Sequence, residues 1–286
     1  DVTLNELRDQ GYLAFYLAVG AQGGRRLGVP GEDAKGVVSG IDFLRRVNLG
    51  IQKQLHGRVT VIGGGNVAMD VARTAMRQGA DAVDLYCLES EAEMPAMPEE
   101  IEEALQEGIR IHNGWGPKSI QDEAETVVGI TLKKCLSVFD HDKRFRPVYD
   151  EDNTRYAECS TVLVSIGQSI EWGQLLQGSR VNINPNGTVR ADRFTYQTDQ
   201  PDVFAGGDAY SGPKFCIDAI AAGKEAAISL HRFVQPGQSL TLGRDRRSYA
   251  ALDKQNLDLS SYDNTSRQEA ARRPAAPESF RDSRMT

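Results

Sequence analysis

The stretch RVTVIGGGNVAMD, residues 58–70, decides the fold of this chain. An apolar run ends in glycines, and apolar residues at helical spacing follow at once, which predicts a strand, a tight turn and a helix. In a GxGxx(G/A) turn of this kind, Gly63 permits the turn itself. Gly65 lets the backbone approach a pyrophosphate, and Ala68 keeps the helix close to the strand.

The helix that begins after the glycines points its free backbone N–H groups and its positive dipole end at the turn. The N–H groups of Asn66 and Val67 are therefore the expected phosphate donors. Glycines also cluster at ordinary turns, so a purely structural turn is the alternative. The strand before and the helix after the glycines favour dinucleotide binding.

Strand-like and helix-like segments alternate on both sides of the turn, from SGIDFLRRVNLGIQKQL before it to STVLVSIG after it. An antiparallel excursion is expected near residues 124–149, and later segments read as the short strands GTVRAD and DVFAGGDA and a long helix from KFCIDAI. This alternation of strands and helices predicts an α/β fold, with a parallel sheet that carries helices on its faces.

Composition excludes several functions. The 286 residues carry a formal net charge of −7 with no basic stripe, which argues against nucleic-acid binding. Apolar runs fall short of the about 20 residues that span a bilayer, and no signal peptide is visible. We therefore expect a cytoplasmic protein. The first residue is not Met, which suggests a fragment or a processed chain.

Cysteine and histidine spacing gives no metal or redox motif. No two cysteines form a CxxC pair and the four histidines are scattered, so we expect no metal site and no disulfide-reductase chemistry. A dehydrogenase with a single dinucleotide would need a pair such as His–Asp in its cleft, and the sequence offers no candidate.

Glu89 indicates which dinucleotide binds. It follows the second strand, DAVDLYCL, where an acidic residue accepts a hydrogen bond from the ribose 2′-hydroxyl and repels a 2′-phosphate. No Arg or Lys occurs between Arg77 and Arg110. The sequence thus favours NAD(H) over NADP(H), and the alternative is that Glu89 is only a solvated loop residue.

Several ordered segments together carry a resemblance that covers about residues 11 to 284: LAVGAQGGRRLGVPGED, VIGGGNVAMDVARTAMRQGA, EMPA, LVSIGQ and DVFAGGDAYSGP. They resemble the FAD- and NAD(P)-dependent oxidoreductases related to the glutamate synthase small subunit. The resemblance implies a Rossmann-like NAD(P)-binding domain inserted into an FAD-binding domain of the three-layer ββα type.

In this layout residues 1–47 end the first half of the FAD-type domain, 48–168 form the NAD(P) domain, 169–235 are the second FAD half and 236–286 are an extended polar tail. The junctions AVGA and SIGQ are the expected crossovers between the domains. The resemblance adds Gly64 and Gly167 to the nucleotide site. It assigns the flavin to the following residues: Gly20, Gly206, Gly207, Asp208, Ile217 and Ala219.

Two departures from the family pattern are visible. No other strand ends in GxGxxG, so the FAD site is expected to be incomplete in this chain. Many relatives carry two arginines after the second nucleotide strand, where this chain has Cys87 and Leu88, which again favours NAD.

The resemblance implies a flavin oxidoreductase that passes hydride from NADH to FAD and electrons on to iron–sulfur centres or a partner subunit. The tail resembles a linker that leads to a ferredoxin-like domain in some relatives, although a tail without a partner is the alternative. A second hypothesis is a non-catalytic NAD(H)-binding module that docks onto a larger redox complex.

Overall fold

The computed structural model describes residues 2–244, 253, 256–258, 260–261, 265–266 and 268. The predicted tail therefore falls largely outside the described residues. The helices are α1 Leu4–Asp9, α2 Gly40–Asn48, α3 Asn66–Arg77, α4 Pro98–Gln106, α5 Asp208–Ser211 and α6 Cys216–Phe233. The strands are β1 Phe15–Leu17, β2 Gly23–Gly24, β3 Val37–Ser39, β4 Arg58–Ile62, β5 Ala82–Cys87, β6 Arg110–Asn113, β7 Trp115–Glu123, β8 Thr126–Phe139, β9 Phe145–Glu158, β10 Thr161–Val164, β11 Gln168–Ser169 and β12 Val203–Ala205.

A five-stranded parallel sheet with the order β3-β10-β4-β5-β6 forms the centre of the molecule. Its three central strands, β10, β4 and β5, are buried over nearly their whole length because both faces of the sheet are covered. Val59 and Val61 of β4 pack towards α2, α3 and α4 in a helix-side core, which also contains Phe43, Met69, Val71, Leu85, Ala104 and Leu163.

The other face of the sheet packs on an antiparallel meander with the order β7-β8-β9. Ile62 and Val162 alternate with the helix-facing residues and join Ile130 and Leu132 of β8 in a meander-side core. The meander runs from residue 115 to 158, so it is longer at both ends than the excursion predicted near 124–149. Helices, parallel sheet and meander form three layers in this part of the molecule, whereas the resemblance implied the three-layer ββα type for the FAD-type domain.

Strand β3 pairs with β10 in parallel, and α2 packs on α3. Residues Val37–Asn48 therefore belong structurally with the parallel sheet, although the sequence assigned residues 1–47 to the flavin-type domain. The pairing joins residues more than a hundred positions apart, which local patterns do not reveal.

A smaller unit surrounds the parallel pair β1 and β12. Its small core contains Leu4, Phe15, Leu17, Val189, Val203 and Ala205. Helix α1 was not predicted, although Thr3 and Glu6 form a capping box at its start. The expected strand GTVRAD does not form; its residues make only isolated bridges, such as Ile183 with Val189.

The antiparallel pair β2 and β11 lies at the ends of the two predicted crossovers, with Gly24 paired to Gln168 and Gly23 paired to Ser169. Within the described part of the chain, none of the helices combines the length and apolarity of a membrane crossing. Nor, over the same residues, do three or more His, Cys, Asp or Glu side chains gather as metal ligands would.

Candidate functional site

The glycine turn lies at the carboxyl end of β4, between β5 and β10, where open α/β sheets bind their ligands. Gly63 has a φ of +142°, and a methyl group on it would lie 2.3 Å from the carbonyl oxygen of Ser165. Its N–H donates to the carbonyl of Tyr86 at 2.9 Å. Only glycine fits this position, because both the backbone conformation and the neighbouring strand exclude a side chain.

Gly65 plays a different part. It is the N-cap of α3 with a φ of −91°, and a methyl group on it would meet no atom within 4 Å. No side chain caps the helix, and its first turn contains no acidic residue. The start of α3, with the N–H groups of Asn66 and Val67, is thus an open anion site of the kind that suits a pyrophosphate.

The segment Met94–Met97 is hydrogen-bonded to the glycine turn and to the start of α3. The Ala96 N–H donates to the Gly64 carbonyl at 3.1 Å, and the Met97 N–H donates to Asn66 Oδ1 at 2.7 Å. The quoted motif EMPA, residues 93–96, overlaps this segment, but the contact of the segment with the glycine turn was not predicted. The Asn66 side chain is therefore a positioning group that ties the start of α3 to the start of α4.

The Glu89 carboxylate lies beside Gly64 of the glycine turn. Its Oε2 lies 2.8 Å from the position that a Cβ on Gly64 would take. The Gly114 N–H donates to the Glu89 carbonyl at 3.1 Å, which fixes the backbone of this loop. A carboxylate beside Gly64 stands where the adenosine ribose is expected in a GxGxx(G/A) site.

Gly167 follows β10 and has a φ of +119°. Its carbonyl accepts from the Arg25 N–H at 3.2 Å, and the Arg25 side chain passes beside its Cα. Gly167 therefore lies at the carboxyl edge of the parallel sheet. It is two residues beyond Ser165, whose carbonyl oxygen lies beside Gly63 of the glycine turn. The structure brings all the predicted nucleotide residues to this one edge.

The predicted flavin residues gather at the carboxyl ends of β1 and β12 instead. The Gly206 N–H donates to the Leu17 carbonyl at 3.1 Å, and Gly20 and Gly207 have φ values of +71° and +58°. Asp208 begins α5, and its Oδ1 accepts from the Lys214 N–H at 3.3 Å. No atom lies within 4 Å of a methyl group placed on Gly20, so the backbone there is open to a ligand.

Helix α6 completes this second edge. No side chain caps its N-terminus, and Ile217 is 68% exposed, with Ala219 exposed beside it. Ala219 Cβ lies 3.6 Å from the position of a Cβ on Gly207, so the helix and the glycine turn border one open face. These residues fit one side of a flavin site, in which the helix N-terminus would favour negative charge.

The four cysteines differ in burial. All four are free, and only Cys216 is exposed. Burial raises the pKa of the Cys87 thiol to about 12, and the Glu89 carboxylate adds to the shift. A thiol with such a pKa carries almost no thiolate at neutral pH, so Cys87 is a packing residue of β5.

The structure brings His112 and Asp84 together in a partly buried His–Asp pair, which the sequence did not indicate. His112 Nε2 lies 2.8 Å from Asp84 Oδ1, but Arg110 and Arg58 bind the same carboxylate at 2.6 and 3.3 Å. The pair lies on the face of the sheet covered by the meander rather than at its carboxyl edge. It is a structural cluster that joins three strands.

Comparison with protein-family models gives a match to the family described as pyridine nucleotide-disulphide oxidoreductase, over residues 2–223. The NADP(+)-dependent formate dehydrogenase subunit beta of Moorella thermoacetica is 36% identical over 241 residues, 83% of this chain and 34% of that protein. The NADPH-Fe(3+) oxidoreductase subunit beta of Geobacter sulfurreducens is 32% identical, over 84% of this chain and 39% of that protein. The glutamate synthase (NADPH) small chain of Escherichia coli is 29% identical over 82% of this chain and 53% of its own length.

Among solved structures, Mycobacterium tuberculosis FprA in complex with NADPH matches with a TM-score of 0.66 at 18% identity, over 81% of this chain and 66% of that one. The thioredoxin reductase of T. acidophilum gives a TM-score of 0.58 at 22% identity. At these identities the likeness concerns the fold, and it confirms the predicted fold class. The chain spans between a third and about half of the length of the curated relatives described above.

Proposed function

The chain belongs to the pyridine nucleotide-disulphide oxidoreductase family, and from this premise we propose that it works as an NAD(P)H-dependent flavin oxidoreductase. The nicotinamide dinucleotide binds on Gly63–Ala68, and FAD lies against Gly207, Asp208 and the start of α6. The two cofactors supply the hydride transfer, while the protein supplies binding, orientation and the local field. The open, uncapped start of α3 behind Gly65 is the observation that carries this proposal.

The residues of the chain have separate tasks in this function. The N–H groups of Asn66 and Val67 bind the pyrophosphate, and the Met97 contact keeps the Asn66 side chain away from that space. Gly167 permits the crossover to approach the nicotinamide half. The N-terminus of α6 favours negative charge on the flavin side. No side chain is required as an acid or base for hydride transfer.

Within this function we propose that NADH is preferred over NADPH. The Glu89 carboxylate stands over the glycine turn, where it would accept from a ribose 2′-hydroxyl and repel a 2′-phosphate. The relatives described above carry NADP(+) or NADPH in their names, so the preference has to come from this chain's own loop after β5. Cys87 and Leu88 stand there in place of basic residues.

The preference is tested with the purified chain by titrating NADH and NADPH and measuring each Kd. Wild type is expected to bind NADH about tenfold more tightly, because a charge-assisted hydrogen bond is replaced by like-charge repulsion. Glu89→Gln should remove most of that difference. Glu99→Gln, an exposed acid on α4, is the control and should change neither Kd. Tighter binding of NADPH by wild type would contradict the preference.

We propose further that electrons leave the flavin for an iron–sulfur protein, a ferredoxin-like domain or a partner redox subunit. Two relatives are named as beta subunits of larger enzymes, which supports a partner. The test is anaerobic reduction of the FAD-loaded chain by NADH, followed by addition of an oxidised ferredoxin. Recovery of the flavin absorbance is expected, and a flavin that stays reduced would contradict this route.

The alternative function is a non-catalytic NAD(H)-binding module that docks onto a redox complex. One observation favours it, since the predicted flavin residues Ile217 and Ala219 are exposed in the described structure. Flavin content separates the two functions. FAD that remains bound through gel filtration supports the oxidoreductase, whereas a colourless protein that still binds NADH supports the module.

A further inference from the structure

A cleft of about 260 Å³ opens beside the proposed nucleotide site, at the carboxyl ends of β5 and β6. We call it the β5–β6 cleft. Leu88 and Ser90 line it from the loop after β5, Asn113 and Gly114 line it from the end of β6, and Lys134 reaches it from the meander. In a dinucleotide site the adenosine extends from the glycine turn towards the second strand. The cleft is therefore the continuation of that path.

Lys134 is the only basic residue among the described residues that line the cleft. Its side chain is half-buried, and its Nζ lies 2.7 Å from the position of a Cβ on Gly114 and 5.2 Å from the centre of the Trp115 ring. Within the described residues no carboxylate forms an ion pair with it. The adjacent Lys133 differs, since its Nζ lies 2.6 Å from Glu151 Oε1.

The position of Lys134 is tied to that of Glu89 through the backbone. The Gly114 N–H donates to the Glu89 carbonyl, and the Cys135 N–H donates to the Gly114 carbonyl at 2.9 Å. Glu89, beside the glycine turn, is thus linked through two backbone hydrogen bonds to the meander segment that carries Lys134.

We propose that Lys134 is the residue that contacts the 2′-phosphate when this chain binds NADPH, an inference that rests on the proposed nucleotide site. The loop after β5 carries no basic residue that could contact the phosphate. The meander supplies the missing cation instead. Glu91 and Glu93 also line the cleft, and their negative charges repel a phosphate. Lys134 therefore permits NADPH to bind but does not make it the preferred nucleotide.

The test is calorimetric titration of the full chain with 5′-ADP and with 2′,5′-ADP, two probes that differ only in the 2′-phosphate. Lys134→Met is expected to weaken 2′,5′-ADP about tenfold and to change 5′-ADP by less than about twofold. Lys134→Arg should restore most of the loss. Lys133→Met removes the same charge one residue away and is expected to change neither Kd.

Salt dependence gives a second readout. The affinity of wild type for 2′,5′-ADP should fall more steeply with salt than its affinity for 5′-ADP, and Lys134→Met should remove the difference. The inference is overturned if Lys134→Met weakens both probes equally or weakens neither. If wild type binds neither probe, the proposed nucleotide site itself fails, and this inference fails with it.

Discussion

Gly63 and Gly65, the two outer glycines of the glycine turn, differ in how much space surrounds them. Gly63 is enclosed by the backbone of the neighbouring strand, whereas Gly65 faces open space. The first glycine is therefore required by the fold, and we propose that the second is required by the ligand. The sequence predicted these two roles, and the structure adds that Gly63 is enclosed while Gly65 is open.

This separation predicts opposite effects for two alanine variants. Gly63→Ala should lower the free energy of unfolding by about 3 kcal/mol, because a strained φ is added to a backbone clash. Gly65→Ala should keep or slightly raise stability, since a φ of −91° suits any residue, yet it should weaken 5′-ADP binding at least about tenfold. Urea unfolding and calorimetric titration measure the two effects. A Gly65→Ala protein that binds as wild type does would contradict the assignment.

Thiol reactivity offers a second prediction at the residue scale. Cys87, Cys135 and Cys159 are buried, and burial raises the pKa of each thiol, whereas Cys216 is exposed at the start of α6. A native-state titration with a thiol reagent should therefore modify one cysteine rapidly. Cys216→Ser should abolish that rapid phase. Rapid modification of a second thiol would show that one of the buried positions opens readily.

At the scale of elements, Asp84 joins three neighbouring strands. Its carboxylate on β5 accepts hydrogen bonds from Arg110 and His112 of β6 and from Arg58 of β4. Burial raises the pKa of Asp84, but the hydrogen bonds and charges of His112 and Arg110 outweigh burial, so that the pKa lies below its ordinary value. The cluster therefore stabilises the ionised form and, with it, the folded chain.

The sign of this shift predicts the effect of acid. A carboxylate whose pKa is lowered on folding contributes stability above its ordinary pKa of about 3.8, and this is lost as the pH falls through the folded pKa. Asp84→Asn should lower the free energy of unfolding by about 2 kcal/mol at neutral pH. Below about pH 4 the variant should lose less further stability than wild type does. Urea unfolding across this pH range measures both effects. Asp42→Asn, an exposed carboxylate on α2, is the control, and parallel pH curves for Asp84→Asn and wild type would contradict the prediction.

Elements with a strong local pattern were predicted from the sequence, and pairings between distant segments were not. The apolar spacing after Gly65 predicted α3, as found. The extent of the meander and the pairing of β3 with β10 depend on contacts across long stretches of chain. The same limit applies to the site, where the glycine turn was visible in sequence but the Asn66–Met97 hydrogen bond was not.

At the scale of the whole molecule, the three hydrophobic cores have no residue in common. The helix-side and meander-side cores draw their residues from positions 27–164, while the small core draws its residues from 4–17 and 172–210. The nucleotide turn lies on the first unit, and the predicted flavin residues lie on the second. The exact domain boundaries stay a prediction, and we propose that the inner domain starts before residue 37, because β3 is part of its sheet.

Separate cores predict separate unfolding transitions. In differential scanning calorimetry of the full chain, 5′-ADP at about a hundred times its Kd should stabilise its own unit by about 2.7 kcal/mol and raise one transition by roughly 10 °C. FAD should raise the other transition and leave the first within about 2 °C. Gly65→Ala should remove the response to 5′-ADP and preserve the response to FAD. A single transition that both ligands shift equally would mean that the β2–β11 pair and its neighbours couple the two units into one cooperative structure.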